Sequence, residues 1–273
     1  MSRTIWSPLP LLLLACCLAG GCGEDREDSA SPTAVALLPV EAGPFWMGCN
    51  PDLSPEDCWR YEDPWHEVEV PAFLMDEVEV SVARYRGCVE DGACNAPPDE
   101  SRCNYHRQDA EALPVSCATW EMAEAFCAWD GKRLCTEAEW EKAARGTDGR
   151  LYPWGDDAPT CERAHFREYG NGCDQGLAAP VGSYPLGASP YGVLDMAGNV
   201  NEWVADWWHE DYDGAPTDGS AWREGPDDPY RVFRGGSWLD EARYLRTSFR
   251  TGYPTWYGGT FGECGIRCCR EDR

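Results

Sequence analysis

Apolar and polar positions first alternate along the chain in strand-length runs. Val35–Val40 has an extended pattern. Trp65–Val70 (WHEVEV) alternates as a strand with one buried face does, and Phe73–Val80 continues in the same style. His66 falls on the face of the first of these strands. The period then lengthens. Val82, Tyr85 and Val89 share one face of a helix over Ser81–Val89. From Thr119 a second helix begins, with Thr119 as N-cap, Ala123, Phe126 and Cys127 on one face, and Gly131 as its stop. Thr136-Glu137-Ala138-Glu139 is a capping box, because Thr136 can cap while Glu139 reaches back. It predicts a helix to about Arg145, closed by Gly146. Leu151–Gly155 (LYPWG) reads as an aromatic turn, Val181–Tyr184 as a short strand, and 210–230 as an irregular Asp/Gly/Pro loop.

One late stretch, YRVFRGGSWLDEARYLRTSFR (230–250), stands out. It opens as a strand through Val232 and Phe233. Gly235 and Gly236 allow a backbone geometry closed to other residues, and a charged, helix-like run starts at Asp240. A strand, a tight turn and a surface helix account for this shape. A glycine break before a hydroxyl and an aromatic also suits a cleft, with Ser237, Trp238, Asp240 and Tyr244 as its candidate lining.

Composition narrows the class. The 273 residues include 14 Trp, 28 Gly and 21 Pro, which predicts an α+β fold rich in loops and held by aromatic packing. No internal repeat is visible, and residues 35–273 read as one domain. The net charge of −25 repels nucleic acid and anionic surfaces and excludes a nucleic-acid role. It favours cations. The 16 cysteines are spread along the chain without a zinc-type CxxC pair of pairs, which in an exported protein implies disulfides.

Export is predicted at the N-terminus. Arg3 precedes an apolar run over Pro8–Leu18 that is too short to span a bilayer, and Leu18-Ala19-Gly20-Gly21-Cys22 resembles a lipobox. We therefore expect residues 1–21 to be a signal peptide, Cys22 to be lipidated, and 22–34 (CGEDREDSASPTA) to be a flexible tether. The expected location is the membrane surface of a bacterium, at the outer membrane or the periplasmic face, with the lipid as the membrane contact and the protein a monomer. Removing Cys16 and Cys17 with the signal and Cys22 by lipidation leaves an odd number of cysteines, so at least one thiol is unpaired. Local pairs Cys49–Cys58, Cys88–Cys94, Cys103–Cys117 and Cys161–Cys173 are the simplest.

Chemistry-bearing patterns are few. Only four histidines occur, none at helical metal-ligand spacing, and no GxSxG elbow, P-loop or dinucleotide fingerprint is present. The best metal candidate is the oxygen-rich turn Asp195–Glu202 (DMAGNVNE). There Asp195 and Glu202 can give carboxylates to calcium, and Gly198 and Val200 carbonyls. Loops of this composition are also common as plain turns.

Several motifs in order resemble the formylglycine-generating enzyme, or sulfatase-modifying factor, family: GPFWMG (43–48), FCAWDGKRLCTEAEWEKAARG (126–146), LYPWG (151–155), SPYGVLDMAGNVNEWVADWW (189–208), RGGSW (234–238) and GIRC (265–268). The resemblance spans about residues 36–271. It implies a C-type-lectin-like α+β fold with little regular structure and with bound structural calcium. The Asp195, Gly198, Val200 and Glu202 set matches one family calcium loop. The other would fall at Cys161–Leu177, where His165 stands in place of the usual Asn. The same matching implies a Cys127–Cys268 disulfide. Active members of the family oxidise a substrate cysteine with O₂, using two Cu(I)-binding cysteines shortly after GGS. Here those positions hold Asp240 and Leu245, neither of which is a thiolate, so copper is not expected. Asn201 stands where an aromatic is common.

The resemblance leaves three functional readings open. The first is a lipoprotein with a sulfatase-modifying-factor-like domain whose cleft binds a peptide or small ligand, or serves structure. The second is a divergent metal-dependent oxidoreductase in which Asp240 and a histidine take over. The third is a formylglycine generator with relocated thiols such as Cys264 or Cys269. Fold alone does not decide among them.

Overall fold

Among the described residues, strands of two to seven residues carry most of the fold, with three α-helices between them. A computed structural model describes residues 35–53, 58–167, 173, 177–224, 230–257 and 262–272. The expected signal peptide, lipobox and tether lie outside the described residues. The elements in order are β1 (Leu37–Val40), β2 (Gly43–Met47), β3 (His66–Val70), β4 (Phe73–Asp76), α1 (Val82–Glu90), α2 (Trp120–Trp129), β5 (Arg133–Leu134), α3 (Glu137–Arg145), β6 (Asn201–Trp207), β7 (Tyr230–Arg234), β8 (Arg250–Pro254), β9 (Cys264–Gly265) and β10 (Cys268–Glu271). The sheet orders are β1-β4-β10-β5, β2-β3 and β8-β7-β6-β9. Val35–Arg273 makes one compact unit.

Strands β6 and β7 divide the interior. Trp203, Ala205 and Phe233 face one apolar core together with Tyr85, Phe126 and Ile266. Val204 and Val232 face a second, with Phe45, Val68, Phe73 and Trp140. Both faces of these strands are therefore buried, which is why NEWVADW shows no clean alternation. His66 lies in β3, its ring 5.0 Å from that of Tyr212.

Helix α3 has the predicted capping box, and all nine of its residues are buried, charged ones included. Each charge has a partner. Glu137 pairs with Arg234 of β7 and Arg250 of β8, Glu141 with Arg234 and Arg145, and Glu139 with Arg133. Lys142 donates to the carbonyls of Glu41 and Gly43 at 2.8 and 2.7 Å. Removing one member of such a pair strands its partner in the interior, at a cost of about 3–5 kcal/mol. The network thus locks β7 and the turn after it against α3.

Disulfides close the rest. Cys127–Cys268 and Cys135–Cys269 tie the end of α2 and the start of α3 to β10, while Cys49–Cys58, Cys88–Cys94, Cys103–Cys117 and Cys161–Cys173 close local loops. Among the described residues Cys264 is the free cysteine, and it is buried.

Two sequence expectations fail. Val181–Tyr184 is a turn and not a strand. Gly182 sits at φ +76° and donates its N–H to Asp195. The run after Asp240 shrinks to one 3-10 turn, Ala242–Leu245. It stops there because the Arg246 guanidinium turns inward to a bidentate pair with buried Glu62, at 2.7 Å to each oxygen.

Candidate functional site

The Gly-Gly turn is built by close approach. Gly235 and Gly236 have φ of +94° and +70°, and a Cβ on Gly236 would lie 2.7 Å from the Tyr244 carbonyl oxygen. Two backbone bonds clamp this turn to the 195–201 loop: the Gly198 N–H donates to Gly235 O and the Trp238 N–H to Asn199 O, both at 2.9 Å. Ser237 is fully buried. Its N–H and hydroxyl donate to Asp240 Oδ2 at 2.8 and 2.7 Å, so Asp240 closes its own turn.

One further side chain, Asn201, reaches the Asp240 carboxylate. Asn201 starts β6 and pairs in register with Cys264 of β9. Its Nδ2 lies 3.5 Å from Asp240 Oδ2, and its backbone N–H donates to Glu263 O at 2.7 Å. Its Oδ1 is buried without a partner. The Tyr257 hydroxyl donates to Glu263 Oε1 at 3.3 Å, and the Tyr253 and Tyr257 rings stack at 4.3 Å. Trp238 Nε1 donates to Gly262 O at 3.3 Å. The floor of this cleft, Ser237, Asn201 and Cys264, is buried. Its walls, Trp238, Asp240, Glu263, Tyr253 and Tyr257, are half-buried.

Electrostatics mark the same place. Burial pushes Glu263 up to about 7, with the Asp240 charge adding to the effect. Asp240 is also raised by burial, against the hydrogen bonds from Ser237 and Asn201. Burial, then Glu263 and Asp240, hold the Cys264 thiol well above its usual range, which keeps it protonated. Cys269 is tied to Cys135. Neither relocated thiol is available as a thiolate.

Tyr244 belongs to an adjoining aromatic patch, 5.3 Å from Trp59 and 5.1 Å from Phe249, and accepts from Arg243 at 2.9 Å. Leu245 is completely buried in an apolar cluster with Ala164, Phe166 and Ala197. A Cu(I) pair does not fit here. One position is apolar packing, and the other is a carboxylate spent on its own turn.

The calcium loop is a separate arrangement. Asp195, Gly198 and Asn199 all have positive φ, and Gly198 packs so tightly on His165 that a Cβ would sit 2.4 Å from its carbonyl oxygen. Asp195 Oδ2 accepts from Gly182 N–H, and its Oδ1 is buried without a partner. Glu202 accepts from Trp140 Nε1 at 2.6 Å and from Arg267 Nε at 2.9 Å. Glu79, which the sequence reading did not single out, is buried beneath the loop and accepts from Asn199 Nδ2 at 2.7 Å and Val200 N–H at 3.2 Å. Three buried carboxylates thus share one guanidinium, that of Arg267. Burial raises Glu79 well above its ordinary range, helped by Asp195 and Glu202, and burial takes Asp195 to about 6. Among the described residues no three His, Cys, Asp or Glu side chains converge to hold a metal unaided. The open Asp195 oxygen and the excess negative charge do fit a hard divalent cation completed by backbone carbonyls. His165 is a satisfied core residue, with Nε2 2.7 Å from Leu177 O and Nδ1 3.2 Å from the Tyr184 hydroxyl. Burial lowers its pKa.

In sequence the chain is 37% identical over 247 residues to hercynine oxygenase of Mycolicibacterium thermoresistibile, covering 76% of this chain and 53% of that protein. The chain therefore spans about half the length of that relative. It is 32% identical over 300 residues to the formylglycine-generating enzyme of Thermomonospora curvata, covering 88% of this chain and 96% of that one. Among solved structures, PvdO from Pseudomonas aeruginosa superposes with a TM-score of 0.74 at 26% identity, over 89% of this chain and 99% of that chain. Residues 24–272 match the sulfatase-modifying factor enzyme 1-like domain. With its α+β, disulfide-rich architecture and the Gly-Gly turn in place, the chain belongs to the sulfatase-modifying factor family.

Proposed function

We propose that the chain is an exported, monomeric lipoprotein, anchored through Cys22 at the outer membrane or periplasmic face, whose domain binds a peptide or small ligand in the Gly-Gly cleft without copper-dependent formylglycine chemistry. The observation that carries this reading is Leu245. A residue sealed in apolar packing occupies one thiolate position, while the hydrogen-bonded Ser237, Asp240 and Asn201 keep polar groups together, with Asp240 half-buried. Calcium is proposed as a structural ion at Asp195, Gly198, Val200 and Glu202. Its support is the unpartnered Asp195 oxygen and the shortage of positive charge around Glu79.

A second reading, a divergent metal-dependent oxidoreductase, draws support from relatives named as an oxygenase and as a formylglycine-generating enzyme. Incubation with a cysteine peptide of the sulfatase type, O₂ and a thiol reductant separates the two. The first reading expects unchanged peptide with copper or iron supplied. Aldehyde formation sinks it.

A further inference from the structure

The Asp240 cleft carries a charge problem that its own residues do not solve. Two carboxylates, Asp240 and Glu263, come from different segments; the Asn201 side-chain amide donates toward the Asp240 carboxylate at 3.5 Å, and its backbone N–H donates to the Glu263 backbone carbonyl. Hydrogen bonds to the carboxylates come from neutral groups: Ser237, Asn201 and Tyr257. Among the described residues exposed Arg102 acts on Glu263 as the weakest of its four influences, and Arg167, whose backbone N–H donates to the Asp240 carbonyl at 2.9 Å, is also exposed. An independent sign of a missing partner is Asn201 Oδ1. The residue is 5% exposed, and that oxygen accepts from nothing. A buried acceptor left unpaired costs about 1–3 kcal/mol, and a ligand with a donor recovers it.

We propose that this cleft binds a protonated primary amine, with the ammonium group seated between Asp240, Glu263 and the Asn201 side-chain oxygen. The inference rests on the reading of the domain as a ligand-binding module. Four observations select the ligand class. An anion would meet two carboxylates. Among the described residues Asp240, Glu263 and Cys264 form no group of three that could hold a metal ion. A tetraalkylammonium ion would suit the tyrosine and tryptophan walls but has no N–H for the orphaned amide oxygen. A primary ammonium carries three N–H donors for three acceptors, and its alkyl stem can lie along the stacked Tyr253 and Tyr257 rings.

The test is a titration of the full-length protein, labelled with nitrogen-15, following the Trp238 indole and the Asn201 side-chain amide. n-Butylamine is expected to shift both signals saturably, and tetramethylammonium at the same concentration to leave the Asn201 amide in place. Asp240→Asn keeps an acceptor for the Ser237 turn, and Glu263→Gln keeps one for Tyr257. Each variant, checked by thermal unfolding to be folded, is expected to weaken butylamine at least about tenfold through loss of a charge-assisted bond. A lysine peptide that binds tighter than butylamine points to a protein as the source of the amine, and the reverse order to a small metabolite. Both orders support the proposal. Butylamine affinity unchanged in the two folded variants would overturn it. If butylamine fails while a neutral cysteine peptide shifts the Trp238 indole, the amine assignment falls and the cleft-binding reading stands. If neither moves either signal, both fall.

Discussion

Replacing Glu263 by Gln should stabilise the protein increasingly as pH rises from about 4.5 to 7, with the gain holding above that. An ordinary glutamate titrates near 4.5, while burial and the facing Asp240 charge hold Glu263 near 7. Its other neighbours are the Tyr257 hydroxyl, the Cys264 thiol, Tyr253 and rim-exposed Arg102. The native pKa lies above the unfolded one, so the folded state binds the extra proton. Relative stability is then full below about pH 4.5 and is lost as pH rises through 7. At about 1.4 kcal/mol per pH unit, the ionised carboxylate costs the fold about 3 kcal/mol at pH 8. Asp240 titrates with it, and the loss belongs to the pair. Glutamine keeps the acceptor for Tyr257 and removes the charge. Urea unfolding of both proteins between pH 4 and pH 9 measures the difference. The two stabilities should agree near pH 4 and diverge to about 3 kcal/mol in favour of E263Q at pH 8. Buried Asp206, pushed up to about 7, and Asp195 also titrate in this range, but they do so in both proteins and cancel. Parallel curves would refute the reasoning. The proposed amine site explains why such a cost is retained, since a bound ammonium removes it.

Three further predictions test the surrounding structure. Deleting either long-range disulfide, Cys127–Cys268 or Cys135–Cys269, leaves its neighbour closing the long loop, so only the extra ring of about ten residues between the two bridges opens, which should cost about 3 kcal/mol. Deleting both reopens loops of 141 and 134 residues and should cost about 8, more than the sum of the single losses; an additive result in chemical denaturation would contradict the paired-staple account. Calcium at a hundredfold over its dissociation constant should raise the melting temperature by about 5–10 °C, and Asp195→Asn should abolish that shift; identical melts with calcium and chelator would remove the ion. The Cys264 peptide should resist alkylation in the native protein and react after unfolding without reduction, and rapid native labelling would contradict its burial.

What could be read from residues and what could not follows physical lines. Caps and one-sided helices were legible because they are local: Thr119 accepts from the Met122 N–H at 3.3 Å, and Thr136 and Glu139 form the reciprocal box. The resemblance placed RGGSW at a cleft and marked Leu245 as unable to ligate. The buried Arg–Glu lattice of α3 could not be read, since EAEWEKAAR has the composition of a solvated helix and its partners come from Arg234 and Arg250, about a hundred residues away. Glu79 was equally hidden, as one acid in an alternating run whose partner, Asn199, lies 120 positions on. Asn201 and Glu263 acquire meaning only when β6 and β9 pair. The helix expected from Asp240 failed because Arg246 reaches Glu62, a contact across 184 positions with no local signal.

We propose that Asp240 and Leu245 end copper chemistry and leave the Gly-Gly site for another ligand. Titration of the folded protein, its disulfides intact, with Cu(I) against a chromophoric chelator tests it most directly. The account predicts that the chelator keeps all the copper, because the described free thiol, Cys264, is buried and held protonated. One equivalent of Cu(I) withdrawn from the chelator, and lost on replacing Cys264, would show a working thiolate site in the cleft and contradict it.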